Sequence, residues 1–431
     1  MTAAAHRLAR IAAHWFPGPL PVRLRAWDGS EAGPAHAPLV VLRSPRALRR
    51  LAWQRGELGL AEAYIAGDLD VEGDLGDGLS RAWAAVREGG RLRPGPADLA
   101  RAAADAVRLG ALGPRPRTPA APRARMTGAL HSKTRDRAAI SHHYDLSNAF
   151  YELLLDESMA YSCAYWTEPE GPGFTLADAQ RAKAGLVCDK LALRPGARLL
   201  DIGCGWGSLT LHAAREYDAE VTAVTLSREQ RDHVLERVRD EGLDKRVTVR
   251  LCHYRDIDGG DYDAVSAIEM GEHVGRDAYP HFARRLYELV RPRGRVLVQQ
   301  MSRGSSEPGG GAFIETYIVP DMHMRPVGET VSLIEDGGLE VRSVEALREH
   351  YVTTIRAWER TLEARWQDFT DLVGEPTARV WRLYLAGSAL AFAERRMGVD
   401  QILAVRTDKG GDARMPATPA GWYATGEAAG R

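Results

Sequence analysis

Residues 201–207 read Asp-Ile-Gly-Cys-Gly-Trp-Gly, and this is where the chain concentrates chemistry. Leu199 and Leu200 run into Asp201, Gly203, Gly205 and Gly207 alternate, and Leu209-Thr-Leu-His-Ala-Ala-Arg215 follows with helical spacing. The pattern predicts a buried strand, a tight turn and a helix start. Glycine is required where a turn takes positive φ or where a ligand must approach the backbone closely, and the helix start offers unpaired N–H groups. Such a loop can cradle a nucleotide-like ligand. Its spacing is not the G-x-G-x-x-G of dinucleotide binders. The alternative is an ordinary glycine-rich turn.

The elements around the loop say which. Strands are expected at 197–203, 220–226, 247–253, 263–269 and 294–301, with helices near 208–216, 228–241 and 278–291. Apolar strands separated by helices imply an α/β fold, a doubly wound Rossmann-like sheet that is mostly parallel. Ligands in such sheets sit at the carboxyl ends of the strands, where Asp201, Gly203, Thr225, Tyr254 and Glu269 all fall. Two further helices, at 351–371 and 375–396, and a last strand at 397–406 complete a catalytic domain over 138–407. The tail, 408–431, reads as disordered.

A length of 431 residues allows two or three domains. Residues 1–110 read as a small N-terminal accessory domain without a catalytic constellation. The stretch 87–137 carries twelve basic against four acidic residues. Its Pro/Arg-rich part, 111–137, reads as a linker: either a solvated tether, or a segment drawn to an anionic membrane surface at up to ~1 kcal/mol per basic residue. With 57 basic and 58 acidic residues overall, general nucleic-acid binding is excluded. No apolar run reaches the ~18 residues of a membrane span, and no signal peptide is read at the N-terminus. Cys163, Cys188, Cys204 and Cys252 lack metal-ligand spacing, so no metal site and a reduced cytoplasmic setting are expected.

Five motifs occur in order: Ser141-His-His-Tyr-Asp-Leu-Ser-Asn148, Met159-Ala-Tyr-Ser-Cys-Ala-Tyr-Trp166, the Asp201–Gly207 loop, Val224-Thr-Leu-Ser-Arg-Glu-Gln230 and Glu272-His-Val-Gly275. This series resembles the cyclopropane-fatty-acyl-phospholipid synthase family, which includes the mycolic acid methyltransferases, over about 138–406. The resemblance implies S-adenosyl-L-methionine (SAM) as cofactor. It implies that Tyr161 and Ser162 contact it from an N-terminal lid and that Asp201, Gly203, Gly205 and Gly207 form its loop. Thr225 and Gln230 stand in for the ribose-binding carboxylate that most SAM enzymes carry. Tyr254 and Arg255 line the adenine, and Ile268 lies beside the cofactor. It further implies an unsaturated phospholipid substrate with an oleoyl-type chain, a peripheral place at the inner face of the membrane, and a homo-oligomer, expected as a dimer.

In the family a methyl is added to a cis double bond. The resulting carbocation can be stabilised by aromatic faces, for which Tyr165, Trp166, Tyr317 and Tyr351 are candidates. The proton is lost to a bicarbonate held by a Cys, a Glu, a His and a Tyr. Cys163, Glu272 and Tyr351 match three of these, but the histidine position is Gln299 and a family glycine is Glu269. A carboxylate there crowds out a bound anion and can do its work; alternatively Glu269 merely pairs with Arg325. A changed base points to a methylene product, later reduced to a methyl branch by a separate reductase, with a cyclopropane ring as the alternative. A non-catalytic lipid-binding module is the remote third reading.

Overall fold

The computed structural model of the chain describes residues 3–13, 20–88, 95–124, 126–144, 147–304 and 309–422. It divides into two units: residues 1–123 with 312–317 and 362–390, and residues 124–311 with 318–361 and 391–431.

The first unit holds a four-stranded sheet of β1 (Arg23–Arg25), β2 (Glu31–Ala32), β3 (Leu39–Leu42) and β4 (Leu69–Glu72), in the order β2-β1-β3-β4. Ala5, Leu8, Leu24, Leu42, Ala47 and Ala63 form its core. Residues 362–390 were expected in the catalytic domain, but they group here. Ala386 packs with Tyr64 and Leu75, and the Arg379 guanidinium lies 4.2 Å from the centre of the Tyr64 ring. The expected helix 351–371 is broken at Arg365 into Arg348–Ala364 and Trp366–Val373, followed by Glu375–Ala393.

As its composition predicts, 111–124 forms no helix or strand, yet it is not a free tether. Arg49 Nε donates to the Gly110 carbonyl (2.8 Å), Trp53 Nε1 to Gly113 (3.1 Å) and Arg50 Nη1 to Arg117 (2.8 Å). Arg123 pairs with the buried Glu62. Side chains of the helix Arg46–Trp53 thus satisfy carbonyls that a proline-rich segment cannot pair within itself. Arg91, Arg93 and Arg125 lie outside the described residues.

The second unit is built on seven strands: β5 (Arg198–Ile202), β6 (Glu220–Thr225), β7 (Val247–Leu251), β8 (Tyr262–Ile268), β9 (Val290–Arg303), β10 (Glu340–Ala346) and β11 (Met397–Val405). Their order is β10-β11-β9-β8-β5-β6-β7, with β5 to β9 parallel and β10 and β11 antiparallel at one edge. The order reverses between β5 and β8, the place where a doubly wound sheet opens a crevice. Apolar clusters around Val265, Phe282 and Leu286, and around Val187, Leu199 and Val234, pack against the sheet. β10 was not among the expected strands, because its Glu-Val-Arg-Ser-Val-Glu-Ala has no buried residue. Part of the expected disordered tail is ordered. Asp408 pairs with Arg293 (2.5 Å), and Trp422, 9 % exposed, accepts a bond from Arg295 through its carbonyl. Residues 423–431 lie outside the described residues.

Candidate active site

The glycine loop turns as its spacing demands. Gly203, Gly205 and Gly207 have φ of 80°, 55° and 87°, values that L side chains rarely adopt. A Cβ on Gly203 would come within 3.0 Å of Met270, and one on Gly207 within 3.0 Å of Val234. At Gly205 it would meet nothing within 4 Å. That open space belongs to a partly open cavity at the carboxyl ends of the strands. The cavity gathers Tyr161, Ser162, Asp201, Gly203, Gly205, Thr225, Gln230, Ile268 and Glu269.

Asp201 borders the cavity but is turned into the protein. Its two oxygens accept from Thr210 Oγ1 and Ser266 Oγ, each at 2.8 Å. It therefore braces the loop between helix and β8. Thr225 Oγ1 donates to Gln230 Oε1 at 2.7 Å, which leaves the Gln230 amide hydrogens to serve as donors. Ser227 caps the helix Arg228–Asp240, fixing Gln230 in its first turn.

Glu269 follows β8 directly, with φ of +48°, a left-handed conformation that a glycine would take without strain. Its carboxylate accepts from three donors: Cys163 N–H (2.8 Å) and Gln299 Nε2 (2.8 Å) on Oε1, and Tyr351 OH (2.6 Å) on Oε2. Burial raises its pKa above the usual carboxylate value. These hydrogen bonds and the Lys183 charge pull it back. The orientation of Gln299 is set from behind. Lys190, a pure donor, bonds Gln401 Oε1 (2.6 Å), Gln401 Nε2 bonds Gln299 Oε1 (2.9 Å), and the remaining Gln299 hydrogens face Glu269.

Residues 131–402 match the family described as mycolic acid cyclopropane synthetase. A probable fatty acid methyltransferase of Mycobacterium tuberculosis is 39 % identical, over 94 % of this chain and 95 % of its own. A tuberculostearic acid methyltransferase of the same organism is 34 % identical, over 93 % and 90 %. The solved mycolic acid cyclopropane synthase CmaA1, complexed with S-adenosylhomocysteine and CTAB, is 30 % identical with a TM-score of 0.59, over 62 % of this chain and 98 % of that one. The chain belongs to the mycolic acid cyclopropane synthetase family. It is thereby a SAM-dependent methyltransferase.

Against the family pattern, the structure joins some of the expected residues and separates others. Cys163, Gln299 and Tyr351 converge on Glu269, but Cys163 does so through its backbone. Its buried thiol, with a pKa raised by burial, faces the carbonyls of Ala164 and Leu347. Glu272 is not a cavity residue. It is 1 % exposed, accepts from Met301 N–H (2.5 Å), and its pKa is pushed up to about 8 by burial and by the charge of Glu269. Tyr254 and Arg255 were expected on the adenine, yet neither lines the cavity. Tyr254 packs edge-on against Phe282, and Arg255 bonds its hydroxyl (3.2 Å) and the His131 carbonyl. Gly207 is likewise turned away, under Val234. Arg325 does not pair with Glu269; it stacks 3.9 Å from the centre of the Tyr279 ring. Of the other aromatics, Tyr165 stacks on His350, Trp166 bonds Thr354, and Tyr317 belongs to the first unit, where it accepts from Arg123. No group that could hold a metal occurs among the described residues, and no helix there is long and apolar enough to cross a membrane.

Sequence reasoning missed Lys183, Gln401, Lys190 and the cavity-lining His273. Of these, only His273 carried a signal, its place in Glu-His-Val-Gly. Burial lowers it to about 4, so it faces the cavity as a neutral imidazole.

Proposed function

We propose that this chain methylates the cis double bond of an unsaturated phospholipid acyl chain and yields a methylene product, precursor of a mid-chain methyl branch. The observation that carries the reading is the Glu269 carboxylate on the cavity wall, tied by Cys163 N–H, Gln299 and Tyr351. SAM, when bound, supplies an electrophilic methyl whose addition to the double bond leaves a carbocation on the acyl chain. The glycine loop fits such a cofactor, because Gly205 leaves room where any side chain would intrude. An alkene is a weak nucleophile, so Tyr161, Ser162 and the loop contribute by holding the reactants together and excluding water. Glu269 then receives a proton. It lies in the same cavity, and three donors fix its orientation. A resident carboxylate removes the need for a bound bicarbonate, and like charges make that anion costly beside it.

The relatives aligned over nine-tenths of the chain are named as methyltransferases, which favours the branched product. The family description favours a ring as the second reading. Mass spectrometry of fatty acids from cells expressing this chain and fed oleate separates them. The expected product is one CH₂ heavier than oleate, with an alkene that hydrogenation converts to a methyl branch. A ring signature that resists mild hydrogenation overturns the methylene reading, and unchanged oleate overturns lipid methylation altogether.

The substrate lies in a membrane, and the first unit offers a surface for one. Trp53 (56 % exposed) and Leu112 (68 %) stand beside the exposed Arg115 and Arg117. Arg123, spent on Glu62, is not part of it. Arg115→Gln with Arg117→Gln is expected to weaken binding to anionic vesicles several-fold at low salt and little at high salt, as screening demands. Equal affinity of parent and variant in co-sedimentation at low ionic strength would remove these arginines from docking.

A further inference from the structure

The segment 161–166 is neither helix nor strand, yet Ser162, Cys163 and Ala164 are buried. Irregular backbone under cover must find a partner for each N–H. Here four consecutive N–H groups do. Cys163 donates to Glu269 Oε1 (2.8 Å), Ala164 to Thr354 Oγ1 (3.2 Å), Tyr165 to the Ala179 carbonyl (3.0 Å) and Trp166 to His350 Nδ1 (3.0 Å). The first falls on the proposed base, and the other three hold the chain that delivers it.

Two buried side chains aim the Cys163 N–H. The Ser162 carbonyl and the Cys163 N–H belong to one planar trans peptide, so they point in opposite directions. Gln180 Nε2, on the helix Leu176–Lys190, donates to the Ser162 carbonyl (2.9 Å) and to that of Ala160 (3.2 Å). With its oxygen held on one side, the peptide presents its hydrogen to Glu269 on the other. A bond to the carbonyl also polarises the amide and strengthens it as a donor. Thr354 holds the next peptide. Its hydroxyl donates to the His350 carbonyl (2.7 Å), so its lone pairs are left for Ala164 N–H and for Trp166 Nε1–H (3.1 Å). Thr354 lies on the helix Arg348–Ala364, three residues after Tyr351. One stretch of helix therefore supplies the Tyr351 hydroxyl directly and steadies the Cys163 N–H at one remove. Gln180 and Thr354 are fully buried, and neither lines the cavity.

We propose that Gln180 and Thr354 are positioning residues for the Glu269 carboxylate and act on it through the Cys163 N–H. This rests on the reading of Glu269 as base. Burial raises the Glu269 pKa, and Tyr351, the Cys163 N–H, Gln299 and the Lys183 charge hold it down. The other ionisable groups about it, Glu272 and the Cys163 thiol, are themselves raised by burial first and then by Glu269. Loosening the peptide weakens one of the three donors, so Glu269 stays protonated to a higher pH.

The test is single-turnover methyl transfer from saturating SAM to dioleoylphosphatidylglycerol vesicles, measured against pH. Thr354→Val keeps the shape of the side chain and removes the acceptor. It is expected to move the acid limb up by ~1 pH unit, the value of one hydrogen bond to a charged group, and to leave calorimetric affinity for S-adenosylhomocysteine unchanged. Thr354→Ser keeps the hydroxyl and should return the limb to its parental place. Gln180→Met should move the limb as Thr354→Val does. A parental limb in both Thr354→Val and Gln180→Met overturns the proposal and leaves the two as packing residues. Equal shifts in Thr354→Val and Thr354→Ser overturn it as well, since the hydroxyl is then not what acts. Should Thr354→Val not fold, Thr354→Ala is measured in its place. An acid limb that persists in Glu269→Gln overturns the base reading itself, which separates the two failures.

Discussion

Glu269→Gln should bind S-adenosylhomocysteine as the parent does and turn over ~10²–10⁴ times more slowly, the usual loss when a positioned base is removed. The substitution is well matched to its surroundings. The retained carbonyl oxygen can take the place of Oε1 and still accept from Cys163 N–H and Gln299 Nε2, while the new amide donates to Tyr351, whose hydroxyl can turn to accept. The fold should therefore survive, and a loss of rate reports on chemistry. Because burial raises the Glu269 pKa, the active carboxylate form is populated only above that raised value. Parent turnover should accordingly fall on the acid side of a pH profile, and the variant should lack that limb. Near-parental turnover in single-turnover assays would remove Glu269 from the mechanism whatever the product. Glu269→Gly combined with Gln299→His builds the pair that the family resemblance implies. It is expected to restore a response to added bicarbonate and shift product toward the ring.

Gly205→Val should abolish cofactor binding, with affinity for S-adenosylhomocysteine falling at least ~100-fold, or about 2.7 kcal/mol. No atom stands within 4 Å of a Cβ at this position, so the isopropyl group enters the cavity without a clash inside the protein. The backbone cost is real, since φ is +55° and a β-branched residue dislikes the left-handed region by about 1–2 kcal/mol. A fall in melting temperature is thus expected alongside. Gly205→Ala carries most of the same strain with far less bulk, so it should share the lower melting temperature and lose much less affinity. Unchanged calorimetric affinity in folded Gly205→Val would show that the loop does not face the cofactor.

The loop and its sheet were legible because their physics is local. Alternating glycines announce positive φ, and apolar runs ending in Asp201, Thr225 and Glu269 announce strand ends over a crevice. The convergence on Glu269 was only half legible. Motif order brought Cys163, Tyr351 and Gln299 to one place, but nothing in the chain says that Cys163 acts through its N–H. The packing of Tyr254 and Arg255 was not legible, because a Tyr-Arg pair after a strand reads the same whether it faces a ligand or the helix carrying Phe282. Lys183 was invisible for the opposite reason: burial of a helical lysine depends on tertiary packing, which neither spacing nor composition records. The first unit's claim on 362–390 was hidden likewise, since Arg379 and Ala386 meet Tyr64 more than 300 residues earlier in the chain.

The one-way chain of donors from Lys190 through Gln401 and Gln299 has a consequence for the regiochemistry of protonation. Two hydrogens already point at Glu269 Oε1, one from Cys163 and one from Gln299, and neither can reverse: the first is a backbone amide, the second is locked by a lysine that cannot accept. A proton arriving on Glu269 must therefore settle on Oε2, the oxygen shared with Tyr351. There the phenol changes from donor to acceptor, and its own hydrogen is displaced outward. The two oxygens of one carboxylate are thus unequal, and on the proposed role of Glu269 as base, Tyr351 is the first group that the transferred proton meets.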